Sequence, residues 1–103
     1  MMNVDEIKSV IKTRYDHNMA KQAMKEKYHS KLIITSQSGC WQITPQFISF
    51  LNNQELGEHV VILDYYGNPV KVDRNSLLTE CINQYNMVMN EWLDEHNQIR
   101  KQR

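Results

Sequence analysis

Residues 59–73 read HVVILDYYGNPVKVD, and this stretch decides the fold. His59 to Asp64 is a β-branched, apolar run that reads as a strand; Tyr65, Tyr66, Gly67 and Asn68 have the composition of a tight turn; Pro69 to Val72 returns as a second strand. Asp73 then stands where a helix needs a side-chain oxygen to accept from its early amides. The same order of signals occurs upstream. Lys31 to Thr35 is another β-branched run, Ser36, Gln37, Ser38 and Gly39 make a turn, and Cys40 to Ile43 returns. Thr44 followed by Pro45 is a helix start, because the hydroxyl can accept from an early amide while proline fills the first helical position without wasting a donor. Phe47, Ile48, Phe50 and Leu51 give that short helix a buried face, Asn52 and Asn53 begin to close it, and Gly57 marks its latest end. Sliding the chain by 29 positions sets Ile33 on Ile62, Ile34 on Leu63, Trp41 on Val70, Ile43 on Val72 and Thr44 on Asp73, so two strand-strand-helix units are expected.

Helical patterns flank these units on both sides. From Asn3 to His29 no Gly or Pro intervenes, Asp5 and Glu6 sit in the first turn, and Val4, Ile7, Val10, Ile11 and Tyr15 recur at three- and four-residue steps. The stripe weakens at Asp16, His17 and Asn18, where a kink or a break into two helices is expected, and resumes as Met19, Ala20, Ala23, Met24 and Tyr28. From Arg74 to Gln102 Leu78, Ile82, Tyr85, Val88 or Met89, Trp92 and Ile99 trace a stripe near a seven-residue period. It fails at His96, which favours packing lengthwise against the first helix over a sustained coiled coil. The expected fold is one α+β domain over residues 1–103. Its elements are a helix at 3–29, a hairpin at 31–43, a short helix at 45–53, a hairpin at 59–72 and a long helix at 74–102, with the four strands in one small antiparallel sheet. Strands of unbroken Val, Ile and Leu imply that both sheet faces are covered, by helices or by a partner.

Composition sets the outer limits. The chain has 103 residues, 41% apolar and 23% charged, with 12 basic and 12 acidic side chains. That fits a single modest domain. The longest apolar runs, Leu32 to Ile34 and Val60 to Leu63, fall far short of the ~20 residues a membrane crossing requires, and a soluble, cytoplasmic protein is expected. Two lone cysteines, Cys40 and Cys81, with no CxxC, suggest reduced thiols. Zero net charge removes any broad attraction to nucleic acid. The charge is bipolar, however. Residues 4–31 carry seven cations and four carboxylates, while residues 32–73 carry Lys71 alone against Glu55, Glu58, Asp64 and Asp73.

No GxSxG, HExxH, GxxxxGK[ST] or GxGxxG pattern is present, and no catalytic residue, cofactor or metal is expected. The four histidines occur singly. Cys40 with His59 brought over by folding is the one nucleophile and base pair worth checking. Glu91, Asp94 and Glu95 read as a solvated acidic helix face. Tyr65 and Tyr66 at a hairpin tip are amphipathic and lose little rotamer entropy on binding, and Met89, Trp92 and Leu93 make an apolar surface too broad for one helix to cover. These five are the candidate partner-binding residues. Lys8, Lys12, Lys21 and Lys25, in four-residue pairs with Tyr15 and Tyr28, form the alternative, a nucleic-acid face.

The segment from Asn68, Pro69, Val70, Lys71, Val72, Asp73 and Arg74 through Tyr85 and Met89, Asn90, Glu91, Trp92 and Leu93 to Arg103 resembles small proteins of T-even-like tailed bacteriophages, with a looser similarity through Lys25, Glu26, Lys27, Tyr28 and Lys31. The resemblance implies an accessory or assembly factor in the bacterial host cytoplasm. It would be non-enzymatic and would act by contact with a phage or host protein or with itself.

Overall fold

The computed structural model describes residues 4–101, with side chains for 18–100. The order is α1 (Val4–Lys31), β1 (Ile33–Ser36), β2 (Gly39–Gln42), α2 (Pro45–Leu51), a 3₁₀ turn (Gln54–Leu56), β3 (His59–Leu63), β4 (Pro69–Asp73) and α3 (Arg74–Lys101). The fold is α+β, as the sequence implies, with each hairpin followed by a helix. Helix α1 runs without a break through residues 16–18 and ends two residues later than expected. Asn3, where the helix is expected to begin, lies outside the described residues.

Both helix starts read from the sequence are present. Thr44 Oγ1 accepts from the Phe47 amide at 3.0 Å with Pro45 in the first turn, and Asp73 Oδ1 accepts from the Ser76 amide at 3.0 Å. Helix α2 stops at Leu51 rather than at Asn53. Asn53 instead opens the 3₁₀ turn, its side chain accepting from Glu55. Arg74 closes this end of the molecule. Its guanidinium is buried, and it donates to the Leu51 carbonyl through Nη1 and to the Gly57 carbonyl through Nε, both at 2.7 Å. A cation at the carboxyl end of α2 also complements the dipole of that helix.

The four strands do not form one sheet. β1 pairs with β2 and β3 with β4, each antiparallel, in two separate two-stranded sheets. Side chains supply most of the junction, which is the physical reason no ladder forms. The Asp64 carboxylate accepts from the Cys40 amide at 3.3 Å, the Cys40 carbonyl accepts from the Tyr65 amide at 2.6 Å, and the Gln37 carboxamide meets both main-chain groups of Asp73, accepting at 2.6 Å and donating at 3.2 Å. Gln37 and Ser38 form the turn of the first hairpin at φ 50° and 66°, a region non-glycine residues enter at a cost. Gly39 follows for a different reason. A Cβ there would lie 2.4 Å from the Trp41 indole, which is buried, donates to the Ser36 carbonyl at 2.8 Å and stacks on Phe47.

The core runs through Met24, Tyr28, Leu32, Trp41, Ile43, Leu51, Val72, Leu77, Cys81 and Val88. On α3 the buried line is Leu77, Cys81 and Val88, rotated from the expected stripe. Ile82 is consequently exposed. α1 lies antiparallel to α3, since Lys27 meets Glu95 at 3.2 Å, Lys31 meets Glu91 at 3.0 Å, and Gln84 donates to the Lys31 carbonyl. The molecule is elongated, 67 × 26 × 20 Å with a radius of gyration of 19.9 Å, against the ~13 Å of a compact chain of this length.

Two substitutions test this account by thermal unfolding. Ser38→Gly relieves the left-handed conformation at an exposed position and should raise stability by about 0.5–1 kcal/mol. Arg74→Met leaves two inward carbonyls unpaired and should lower it by about 2–4 kcal/mol.

Candidate protein-interaction surface

The turn of the second hairpin is built around Asp64. Its main chain exchanges bonds with Asn68 and Gly67, its Oδ1 accepts from the Tyr66 and Asn68 amides at 3.0 and 2.9 Å, and Gly67 takes the φ of 81° that closes such a turn. The bonds from Asn68, Cys40, Tyr66 and Gly67 hold the Asp64 carboxyl below the usual carboxylate range against the opposing effect of burial. With the turn fixed, Tyr65 and Tyr66 project. They are 52% and 72% exposed, with rings edge to face at 5.3 Å.

Strand alternation extends this tip into a face. Val60, Ile62, Val70 and Val72 point toward the core, whereas His59, Val61, Leu63, Pro69 and Lys71 are exposed. Val61 is opposite Lys71 and Leu63 opposite Pro69, so Val61 (62% exposed), Leu63 (66%) and Pro69 share one outer face that continues into the tyrosine tip. The sequence leads one to expect both sheet faces covered, by helices or by a partner; among the described residues nothing covers the outer face of this hairpin.

The second group of candidates occupies the α1–α3 seam. Trp92 stacks on Tyr28 with ring centres 5.6 Å apart and takes the edge of His29 at 5.7 Å. Trp92 and Met89 are partly buried and line a groove of about 280 Å³ with His29, Leu32, Ile43, Pro45 and Tyr85. Neither Tyr65 nor Tyr66 contributes to it. Leu93, the next residue around α3, is exposed and does not line the groove. The five expected partner-binding residues therefore divide into a tip, a groove and an isolated leucine.

The nucleic-acid face loses its best-defined aromatic. Tyr28 is 3% exposed, and its hydroxyl is bonded to Glu95, an interaction that, with burial, raises the tyrosine pKa. Lys21 and Lys25 are exposed, while the side chains of Lys8, Lys12 and Tyr15 lie outside the described residues. Glu91 and Glu95 are paired with Lys31 and Lys27, and no cluster of three metal-ligating side chains is found among the described residues. Cys40 and His59 are not brought together. Cys40 bonds to Asp64 just past one end of β3 and His59 stands at the other end, five residues or about 16 Å away at strand rise. Burial pushes the Cys81 thiol up to about 11, which keeps it protonated and unreactive.

Val61 and Leu63 were not among the candidates read from the sequence. The alternation that would expose them is hidden because inward and outward positions of β3 are alike apolar. No family model, curated protein or solved structure matches the chain. No helix among the described residues is long and apolar enough to cross a membrane.

Asp64, Asp73 and Glu95 all have folded pKa values below the ordinary range: Asp64 through main-chain amides, Asp73 chiefly through the Ser76 amide, and Glu95 through the Tyr28 hydroxyl and Lys27. The unfolded chain therefore takes up protons first on acidification. The stability these groups contribute is complete above the ordinary carboxylate pKa of about 4 and is lost as pH falls through the lower folded values. Urea midpoints should be flat from neutrality to about pH 5 and drop below about pH 4, and Asp64→Asn should start lower and drop less.

Proposed function

We propose that the chain is a non-enzymatic protein-interaction module whose contact surface is the outer face and tip of the β3–β4 hairpin: Val61, Leu63, Tyr65 and Tyr66. The observation that supports this reading is the contiguity of these side chains, each more than half exposed, on a hairpin whose other face is spent on the core. Isolated surface leucines are ordinary, but grouped apolar and aromatic side chains on a fixed turn are what binding surfaces use. The site offers no convergent polar groups for chemistry. The resemblance to small phage proteins gives the reading a setting, that of an accessory, assembly or host-modulating factor engaging a phage or host protein in the bacterial cytoplasm.

The groove with Met89 and Trp92 is secondary, because Trp92 already spends one ring face on Tyr28. Nucleic-acid binding through α1 is the weaker alternative. The described cations nearest its aromatic, Lys27 and Lys31, lie 5.1 Å from the Tyr28 ring centre and are neutralised by Glu95 and Glu91.

Site-directed photocrosslinking tests the reading. A photoreactive phenylalanine at Tyr66 should give one dominant protein adduct, identified by mass spectrometry, that Leu63→Ser weakens several-fold. The same probe at exposed Thr79 on α3 should give none. Equal adducts from both positions, or none from Tyr66, refute the assignment.

A further inference from the structure

The main-chain direction along β3 follows from three bonds. The Asp64 amide donates to the Asn68 carbonyl, the Arg74 amide donates to the Glu58 carbonyl, and both main-chain groups of Asp73 are turned outward to Gln37. Antiparallel pairs alternate between bonded and unbonded. In this register Val60 with Val72 and Ile62 with Val70 are therefore the bonded pairs, and the N–H and C=O groups of His59, Val61 and Leu63 point away from β4. Among the described residues none of these outward groups has a partner.

The other edges are treated differently. On β4 the outward positions are Pro69, which has no N–H, Lys71, and Asp73, which Gln37 occupies. β2 is engaged at Cys40, and β1 faces α3 across a groove lined by Ile34, Thr35, Glu80, Gln84 and Met87. β3 has the longest open edge, whereas β1 turns only Ile33 and Thr35 outward. The outward positions of β3, His59, Val61 and Leu63, include no proline, lysine, arginine or carboxylate, and no described element covers them. Proline, charge and cover are the devices by which proteins protect a strand edge.

Resting on the hairpin as the contact surface, we propose that β3 pairs edge to edge with β3 of a second copy of this chain, in antiparallel register about Val61. The occupant follows from the edge itself. A row of outward groups at every second residue accepts only an extended strand with the same spacing, and a two-fold axis at Val61 presents such a strand, with Val61 against Val61 and His59 against Leu63 of the other copy. All three outward pairs are then bonded, and a sheet of order β4-β3-β3-β4 forms. Opposite residues share a face, so the exposed Val61 and Leu63 side chains of both copies merge into one apolar strip. Glu58 and Asp64 at the two ends of β3 come opposite each other between copies, so salt should strengthen association.

Light scattering on the eluting full-length chain, over roughly a hundredfold concentration range, reads this directly. The wild type should show twice the chain mass, falling on dilution and persisting longer at higher salt. Val61→Pro removes an outward N–H while leaving the β3–β4 ladder intact, and Val61→Lys places like charges across the axis on an exposed position. Each should give the single-chain mass, the lysine variant with unchanged circular dichroism. Should the proline variant not fold, the lysine variant decides. A wild type of single mass throughout, or a lysine variant that stays dimeric, overturns the β3 dimer. The reading of the hairpin as a contact surface fails separately, when Tyr66 yields no adduct.

Discussion

The arrangement depends on two side chains standing in for peptide groups. The Asp64 carboxylate and the Gln37 carboxamide occupy main-chain donors and acceptors at two ends of the hairpin junction, where a continuous sheet would have used backbone. A side chain reaches further than a neighbouring strand and need not run parallel to it. The two hairpins can thus be fastened without being aligned, and each keeps its own twist. One face of the second hairpin turns to the core of α3 while the other remains in water, and its far strand keeps an open edge. The exposed surface is a consequence of the fastening.

The fastening also accounts for the left-handed turn of the first hairpin. Two non-glycine residues at positive φ cost of order 1–2 kcal/mol each and persist only where their surroundings over-determine them. Gln37 is held by both of its amide atoms on Asp73, and the indole of Trp41 anchors the Ser36 carbonyl beside it. Asn or Gly would suit the backbone better at position 37, but neither side chain could span to Asp73. The Arg74 guanidinium serves similarly at the other end, where the end of α2 and the Gly57 loop would otherwise present bare carbonyls to the interior.

Much of this was legible in the sequence, and the boundary between what was and what was not is physical. Thr44-Pro45 and Asp73 announce helix starts through local chemistry, and both caps form; the two turns and the two long helices are equally local. The separation of the sheets was not legible, because it rests on contacts between residues 24 and 36 positions apart that no local pattern encodes. Tyr65 and Tyr66 could be placed on the surface from turn composition alone. Val61 and Leu63 could not, since a strand with apolar residues on both faces reads as fully buried. The Trp92 stacking was not legible either, because its partner Tyr28 lies 64 positions away, and that contact occupies one ring face of the surface read as broad and apolar.

Charge then separates the regions. The cations of the described part of α1 that approach α3, Lys27 and Lys31, face Glu95 and Glu91, so electrostatics works inside the molecule to fix the two helices against each other. β3 itself carries no lysine, arginine or carboxylate. A surface of this kind gains little from long-range steering and discriminates among partners by backbone register and by the fit of apolar side chains at every second residue. Register is strongly specified only where one face is already committed, and here Val60 and Ile62 are committed to the core. An incoming strand must match the phase that the interior has fixed, so the packing that builds the hairpin also sets the terms on which it can be bound.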